Sequence, residues 1–328
     1  MSGFQTEKNL IRTYYTALDK ATDQGITQVL RDFTAPQYTW RAYHPFHVQT
    51  DVAEISATFW QPFRHAITSM QRRIDVFFAG DNVIDGGQST WVVSMGHLMG
   101  LFDHPWLGIQ PTGKMVMLRY AEFHKVEDNK ITETAFYFDI PHLMAQAGQS
   151  PFADQRGAHN IQPGPQPHDA VMYDDADLSE GRKTIDAIHA MITDLGTWQS
   201  GLPIEEELAR TWSKDMIWWG PAGIGSTYTI ERYAKQHAIP FRAAFTDRSS
   251  TGHIARLAEG QYGGFFGWPN FTARPTNGYL GLPPSDRLCE FRVIDLYRRE
   301  NDKLAENWVF IDLLHFFSQM GVNLLDES

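Results

Sequence analysis

A chain of 328 residues has room for about two domains of ordinary size, and its 42% hydrophobic and 13% aromatic content belongs to a folded protein. The 28 basic and 39 acidic residues leave a net charge of −11, which repels phosphate backbones and excludes nucleic acid as a partner. One cysteine, Cys289, precludes an internal disulfide and fits a reducing compartment. With a polar, charged Met1–Leu10 and no apolar run near the roughly 20 residues that span a bilayer, a cytoplasmic chain without membrane attachment is expected.

In chain order, Leu10, Ile11, Tyr14, Tyr15 and Leu18 fall at helical spacing and predict an amphipathic first helix. A second helix is predicted around Ile26–Phe33, ending before Pro36, and a third from Asp51 to Met70, interrupted near Pro62. From Ile74 the pattern turns to strands: Val76-Phe77-Phe78, Thr90–Leu98, Met115–Val126 and Ile131–Ile140. The last two enclose Asp128-Asn129, residues that tolerate the positive φ of a tight hairpin. Gln149–Asp177, with Pro163-Gly164-Pro165-Gln166-Pro167, reads as a linker, so the domains are placed at 1–164 and 165–328. Ile185, Ile188, Ile192 and Leu195 open the second half with another helix, and Asn301-Asp302 marks its hairpin. Helices first and an antiparallel sheet after, without βαβ alternation, predict an α+β fold.

The second half repeats the first. Glu127-Asp128-Asn129-Lys130-Ile131-Thr132-Glu133, Asp139-x-x-His142 and Gln146-x-Gly148 recur as Glu300-Asn301-Asp302-Lys303-Leu304-Ala305-Glu306, Asp312-x-x-His315 and Gln319-x-Gly321. Pro62-Phe63-Arg64 recurs as Pro240-Phe241-Arg242, and Gly96, Gly100 and Phe102 as Gly260, Gly264 and Phe266. Collinear matches of this kind mean one unit used twice, with loop insertions between.

Leu107-Gly108-Ile109-Gln110-Pro111-Thr112-Gly113-Lys114, the charged hairpin, and Asp139 followed by Gln146-x-Gly148 together resemble the SnoaL-like polyketide cyclases of the NTF2-like superfamily. Tyr297-Arg298-Arg299-Glu300, Trp308 with Asp312, and Gln319-Met320-Gly321 carry the same resemblance in the second half. It implies two tandem cone-shaped domains, each with helices packed on a curved antiparallel sheet around a pocket. It also implies that an aspartate on the last strand serves as general acid/base in an intramolecular aldol closure; Asp139 and Asp312 match that position.

With the first turn centred on Asp128-Asn129, simple alternation opposes Asp139 to Leu118, Tyr137 to Tyr120 and Ala135 to Glu122, all on one face. In the second half it opposes Asp312 to Phe291, Phe310 to Val293 and Trp308 to Asp295. A bulge would spoil this assignment. Asp139, Asp312 and Glu122 are then the candidate catalytic acids, although Asp139 and Asp312 also suit helix N-caps. Tyr120, Tyr137, His97, His142 and Trp40 are candidate substrate contacts in the first half, and Asp295, Trp308, Phe310 and His315 in the second. Arg119 falls on the other face, which disfavours an Asp-Arg-Asp water-activating centre. His44-Pro45-Phe46-His47 has neither Cys partners nor a His-x-x-x-His helix, so no metal and no cofactor is expected.

Two functions fit these features. One is an enzyme, a cofactor-independent cyclase, isomerase or lyase acting on a hydrophobic carbonyl-bearing molecule; the other is a non-catalytic binder of small hydrophobic ligands. The first half, which keeps Pro111-Thr112-Gly113-Lys114, is expected to be the more active one. Apolar outer faces on both sheets predict an intrachain pseudo-dimer, and homo-oligomerisation of the chain stays open.

Overall fold

The computed structural model describes residues 3–152, 156–196 and 201–325. The chain divides into two compact units, each mixing helices with one sheet. Unit 1 comprises Met1–Pro151, Gln166–Asp175 and Asp312–Ser328; unit 2 comprises Phe152–Pro165 and Ala176–Ile311. The division is therefore not a single cut: the last helix of the chain belongs with the first unit.

Unit 1 opens with α1 (Gln5–Lys20), whose buried Ile11, Tyr14, Tyr15 and Leu18 form the stripe that the helical spacing predicts. α2 (Ile26–Phe33) follows, then β1 (Thr34–Ala42) and β2 (His47–Gln49). The predicted third helix is α3 (Val52–Ile55) and α4 (Gln61–Ala66), joined by a π-helical turn at Ser56–Trp60. Pro62 does not interrupt it. It sits in the first turn of α4, where a missing N–H costs nothing. The helix stops at Ala66 rather than Met70, because β3 (Ile67–Asp81) already begins at Ile67. β4 (Thr90–Phe102), β5 (Met115–Glu127), β6 (Lys130–Phe138) and α5 (Ile140–Gln146) complete the repeat.

The sheet runs β2-β1-β6-β5-β4-β3. It departs from the expected antiparallel arrangement at one place, where β1 pairs parallel with β6. Two bulges in β3, between Thr68 and Gln71 and between Ile74 and Val76, bend the sheet. Gly96 permits the second: a Cβ there would lie 1.9 Å from the Arg73 carbonyl oxygen. On the concave side Phe59 packs on Phe63 (5.5 Å between ring centroids), Phe136 (5.4 Å) and Phe138 (4.9 Å), so aromatic burial fills this core.

Unit 2 repeats the plan with α6 (Leu178–Gly196), α7 (Ile204–Leu208), β7 (Trp212–Trp219), β8 (Thr227–Tyr228), α8 (Ile230–Tyr233) and α9 (Ile239–Ala244). The strands β9 (Thr246–Ser250), β10 (Ala255–Glu259), β11 (Tyr262–Arg274), β12 (Cys289–Glu300) and β13 (Lys303–Ile311) follow. Its sheet runs β10-β11-β12-β13-β7-β8, with β9 also paired to β11 and with β13 and β7 parallel. The buried face of α6 is Gly181, Thr184, Ile188 and Met191, rotated from the predicted Ile185, Ile188, Ile192 and Leu195. A small residue at Gly181 lets the helix approach the Ala258 carbonyl, where a Cβ would sit 3.0 Å away.

The predicted linker is tied down. Within unit 2 Gly157 N–H donates to Ile224 O and Gln162 Nε2 to Gly220 O; within unit 1 Phe77 N–H donates to Ala170 O. α10 (Leu313–Gln319), grouped with unit 1, closes the chain. No helix among the described residues is long and apolar enough to cross a membrane.

Candidate active site

One residue in each hairpin decides which side chains share a face. The β5–β6 turn has the expected conformation, with Asp128 at φ 49° and Asn129 at φ 57°. The pairs nearest the turn, Glu127 with Lys130 and Val126 with Ile131, agree with simple alternation. A bulge then admits Thr132 as an extra residue, and Lys125 pairs with Glu133. Beyond it Tyr137 opposes Ala121 rather than Tyr120, and Ala135 opposes Phe123 rather than Glu122. The second hairpin repeats the device at Ala305: Arg299 pairs with Leu304, but Arg298 with Glu306. Asp295 therefore opposes Val309 rather than Trp308, and Phe310 opposes Ile294 rather than Val293.

The face assigned to Asp139 and Asp312 from sequence is thus corrected. Asp139 N–H donates to Arg119 O (3.2 Å), and its carboxylate lies 3.5 Å from the Arg119 guanidinium, both side chains buried. Asp139 caps α5 by accepting the His142 N–H (3.1 Å), while Glu122 points from the other face. Burial pulls the Arg119 guanidinium down to about 10, against the opposing pull of Asp139 and Tyr43. Arg119 and Asp139 share a face after all, contrary to the ground on which an Asp-Arg centre was disfavoured. Asp312 caps α10 (His315 N–H, 3.0 Å) and accepts the His44 N–H (2.9 Å).

Glu122 lies on the concave face of unit 1 in a buried polar network. It accepts from Arg72 (2.8 Å) and the Tyr15 hydroxyl (2.7 Å), and that hydroxyl also meets His124 Nε2 (2.8 Å). Burial alone would raise its pKa; the Arg72 charge and the bonds from His124 and Tyr15 outweigh it and hold the carboxyl below its ordinary value. The guanidinium of Arg72 lies 4.1 Å from the Tyr15 ring centroid and 5.0 Å from that of Tyr120, and so occupies this space. Tyr120 meets Ser94 (3.0 Å), His97 meets Asp75 (3.1 Å), and His142 Nδ1 meets Gln146 (2.9 Å). Trp40 packs in the core against Phe59 and Phe136, and Tyr137 lies edge-on to Tyr43.

The repeat places Asp295 where unit 1 has Glu122, and here the surroundings differ. Unit 2 holds a partly open cavity of about 130 Å³ lined in part by Trp218, Tyr233, His237, Asp295, Asn307 and Val309. Asp295 is reachable from the cavity, but the walls are largely aromatic and aliphatic. Burial among them pushes its carboxyl up to about 7, against hydrogen bonds from Asn307 (3.1 Å) and Tyr297 that favour the charged form. Tyr297 in turn is raised by burial and by the Asp295 charge. Gly264 holds the neighbouring strand close: a Cβ there would come within 2.5 Å of the Asp295 carbonyl oxygen. His237 stacks on Trp218 (4.1 Å); burial and then Arg156 push it down to about 3, so it is neutral, and its buried Nδ1 has no hydrogen-bond partner among the described residues. Trp308 donates to Pro163 O (3.2 Å) and Phe310 is buried on the face away from Asp295, so neither lines this cavity. The sequence reading included Asp295 but missed His237 and Asn307. The only signal for them was the repeat, which aligns Asn307 with Thr134.

The sequence of this chain has a match among known families. The sequence profile of the SnoaL-like polyketide cyclase family matches residues 12–147 and 241–320, more than half of the chain, in two segments that follow the repeat. The chain belongs to that family. Solved structures similar to it include a proposed SnoaL-like polyketide cyclase from Jannaschia sp. CCS1 (17% identity, TM-score 0.35), which covers 44% of this chain and 91% of its own. IdmH, a proposed polyketide cyclase from Streptomyces antibioticus, is 20% identical and covers 42% of this chain and 99% of its own, with a TM-score of 0.33. An NTF2-like protein from Burkholderia thailandensis E264 is 19% identical and covers 45% and 99%, with a TM-score of 0.32. Among curated proteins none matches the chain.

Proposed function

We propose that this chain is a cofactor-independent cyclase whose working centre is Asp295 in the cavity of unit 2, acting on a compact apolar molecule with a 1,3-dicarbonyl unit and a third carbonyl group. The observation that carries this reading is an acid whose pKa of about 7 arises from burial inside a cavity of about 130 Å³. A group poised there is both a competent base and a competent acid at neutral pH. A dry cavity of about 150 Å³ admits benzene, so a single-ring substrate is the appropriate scale.

The carboxylate of Asp295 removes a proton from the carbon between the carbonyls. The resulting enolate attacks a third carbonyl of the same molecule, outside that pair; a C–C bond forms as its C=O π bond breaks, and the protonated acid returns its proton to the new alkoxide. No redox equivalent is consumed, and later loss of water would make the overall change that of a lyase. His237, neutral and stacked on Trp218, offers a ring N–H to the enolate oxygen as it gains charge. In unit 1 Glu122 stays ionised against Arg72, and Asp139 and Asp312 serve as helix caps that position their neighbours.

Deuterium exchange at the acidic carbon of cyclic 1,3-diketones, followed by NMR in deuterated buffer, tests the assignment. Asp295→Asn should slow protein-catalysed exchange by about 10²–10⁴-fold while ligand-induced shifts of unit 2 resonances persist. Persistence of exchange in Asp295→Asn, with its loss in Asp139→Asn, would return the chemistry to unit 1. Binding without exchange in the native protein would favour a non-catalytic ligand carrier.

A further inference from the structure

Three imidazoles that are far apart in sequence converge in unit 1. His44 comes from the turn between β1 and β2, His47 is the first residue of β2, and His315 lies in the first turn of α10. One ring nitrogen of each can be chosen so that all three lie within 4.8 Å of one another. The His44 and His47 centroids are 5.0 Å apart at 83°, and those of His47 and His315 5.8 Å apart at 76°. We propose that His44, His47 and His315 form a binding site for a late first-row divalent cation of the zinc class, with a fourth position open to water.

The backbone around the three rings is fixed independently of any ion. Asp312 accepts the His44 N–H with one carboxylate oxygen (2.9 Å) and the His315 N–H with the other (3.0 Å). The Tyr43 hydroxyl accepts the Leu313 N–H (3.1 Å), and Phe46 N–H closes the turn onto Tyr43 O (3.0 Å). His47 adopts φ 54°, the left-handed region in which histidine is among the enriched residues, and this turns its ring back toward His44. The two segments therefore present imidazoles from a preorganised frame. Tetrahedral zinc with bonds of about 2.0–2.1 Å sets its nitrogen ligands about 3.4 Å apart.

The donor set selects the ion. Three imidazoles and no thiolate suit zinc, copper, nickel or iron, whereas magnesium and calcium require oxygen ligands. All three histidines are partly exposed as residues, while both ring nitrogens of His315 and Nδ1 of His44 are themselves buried. The His44-Pro45-Phe46-His47 run carries no metal signature by itself because its third partner lies 268 residues away at the Asp312 contact. The site shares no residue with the unit 2 cavity and is independent of the function proposed for it.

The test uses the full chain, stripped with chelator and titrated with Co²⁺ and then with Zn²⁺. The visible ligand-field band reports tetrahedral cobalt, and calorimetry gives stoichiometry and affinity. One cobalt per chain, displaced by zinc, is expected. His47→Ala and His315→Ala should each weaken zinc binding by about tenfold or more, while His65→Ala, in the stacked His65–His104 pair, leaves it unchanged. Far-UV circular dichroism of each metal-free variant establishes that it is folded, and His47→Gln, at a partly exposed turn residue, replaces any variant that is not. Absence of saturable one-to-one binding overturns the proposal, as does affinity unchanged in the folded His47 and His315 variants.

Discussion

Replacing Asp295 by asparagine should stabilise the protein in alkaline buffer while abolishing its chemistry. The native carboxyl is raised from 3.8 to about 7, chiefly by burial. A carboxyl with a raised folded-state pKa binds its proton more tightly in the native protein than in the unfolded chain. The Asp295 contribution to stability is therefore undiminished below pH 4, falls as the pH rises from about 4 to 7, and levels off above. At 1.36 kcal/mol for each tenfold change, the full cost is about 4 kcal/mol. The partial exposure of Asp295 to the cavity screens part of this, so about 2–4 kcal/mol is the expected range. Asparagine keeps an oxygen to accept the Asn307 Nδ2 bond, now 3.1 Å long, but carries no charge. The variant should match wild type near pH 4 and exceed its stability by that range at pH 8, read from urea denaturation followed by the fluorescence of Trp212 and Trp218. A pH-independent difference between the two proteins, or a less stable variant at pH 8, would show that Asp295 is not desolvated and would remove the basis for its catalytic role.

Glu122→Gln should destabilise unit 1 by about 3–5 kcal/mol in the same assay, because it strands the buried Arg72 guanidinium; adding Arg72→Met should restore part of the loss. Asp139→Asn keeps an acceptor for the His142 N–H but removes the charge beside buried Arg119, so the melting temperature should fall while turnover per folded molecule is retained. Gly264→Ala should cost about 1–3 kcal/mol and lower turnover as well, since its methyl group collides with the Asp295 carbonyl; unchanged activity would mean that this strand contact does not position the acid.

Much of the architecture was legible in the chain itself. The doubled hairpin and Asp-x-x-His motifs announced the repeat, and the spacing of Ile11, Tyr14, Tyr15 and Leu18 gave the buried stripe of α1. Asp128-Asn129 and Asn301 occupy the left-handed turn positions for which such residues are suited, and Asp139 and Asp312 cap helices as their type allows. These are local properties, decided by a few neighbouring residues and the backbone geometry each permits. Face assignment was not local. Side chains alternate with a period of two, so Thr132 and Ala305, each adding one residue, exchanged the inner and outer faces of everything beyond them. Neither residue carries a signal that distinguishes a bulge from a continuing strand. The roles of the equivalent acids were decided farther away still: Arg72, arriving from β3, keeps Glu122 charged, whereas the aromatic walls around Asp295 raise its pKa. Likewise only folding brings His315 beside His44 and His47. An ionisable group takes its chemistry from the charges and solvent within a few ångströms, and which groups those are is a property of the assembled structure.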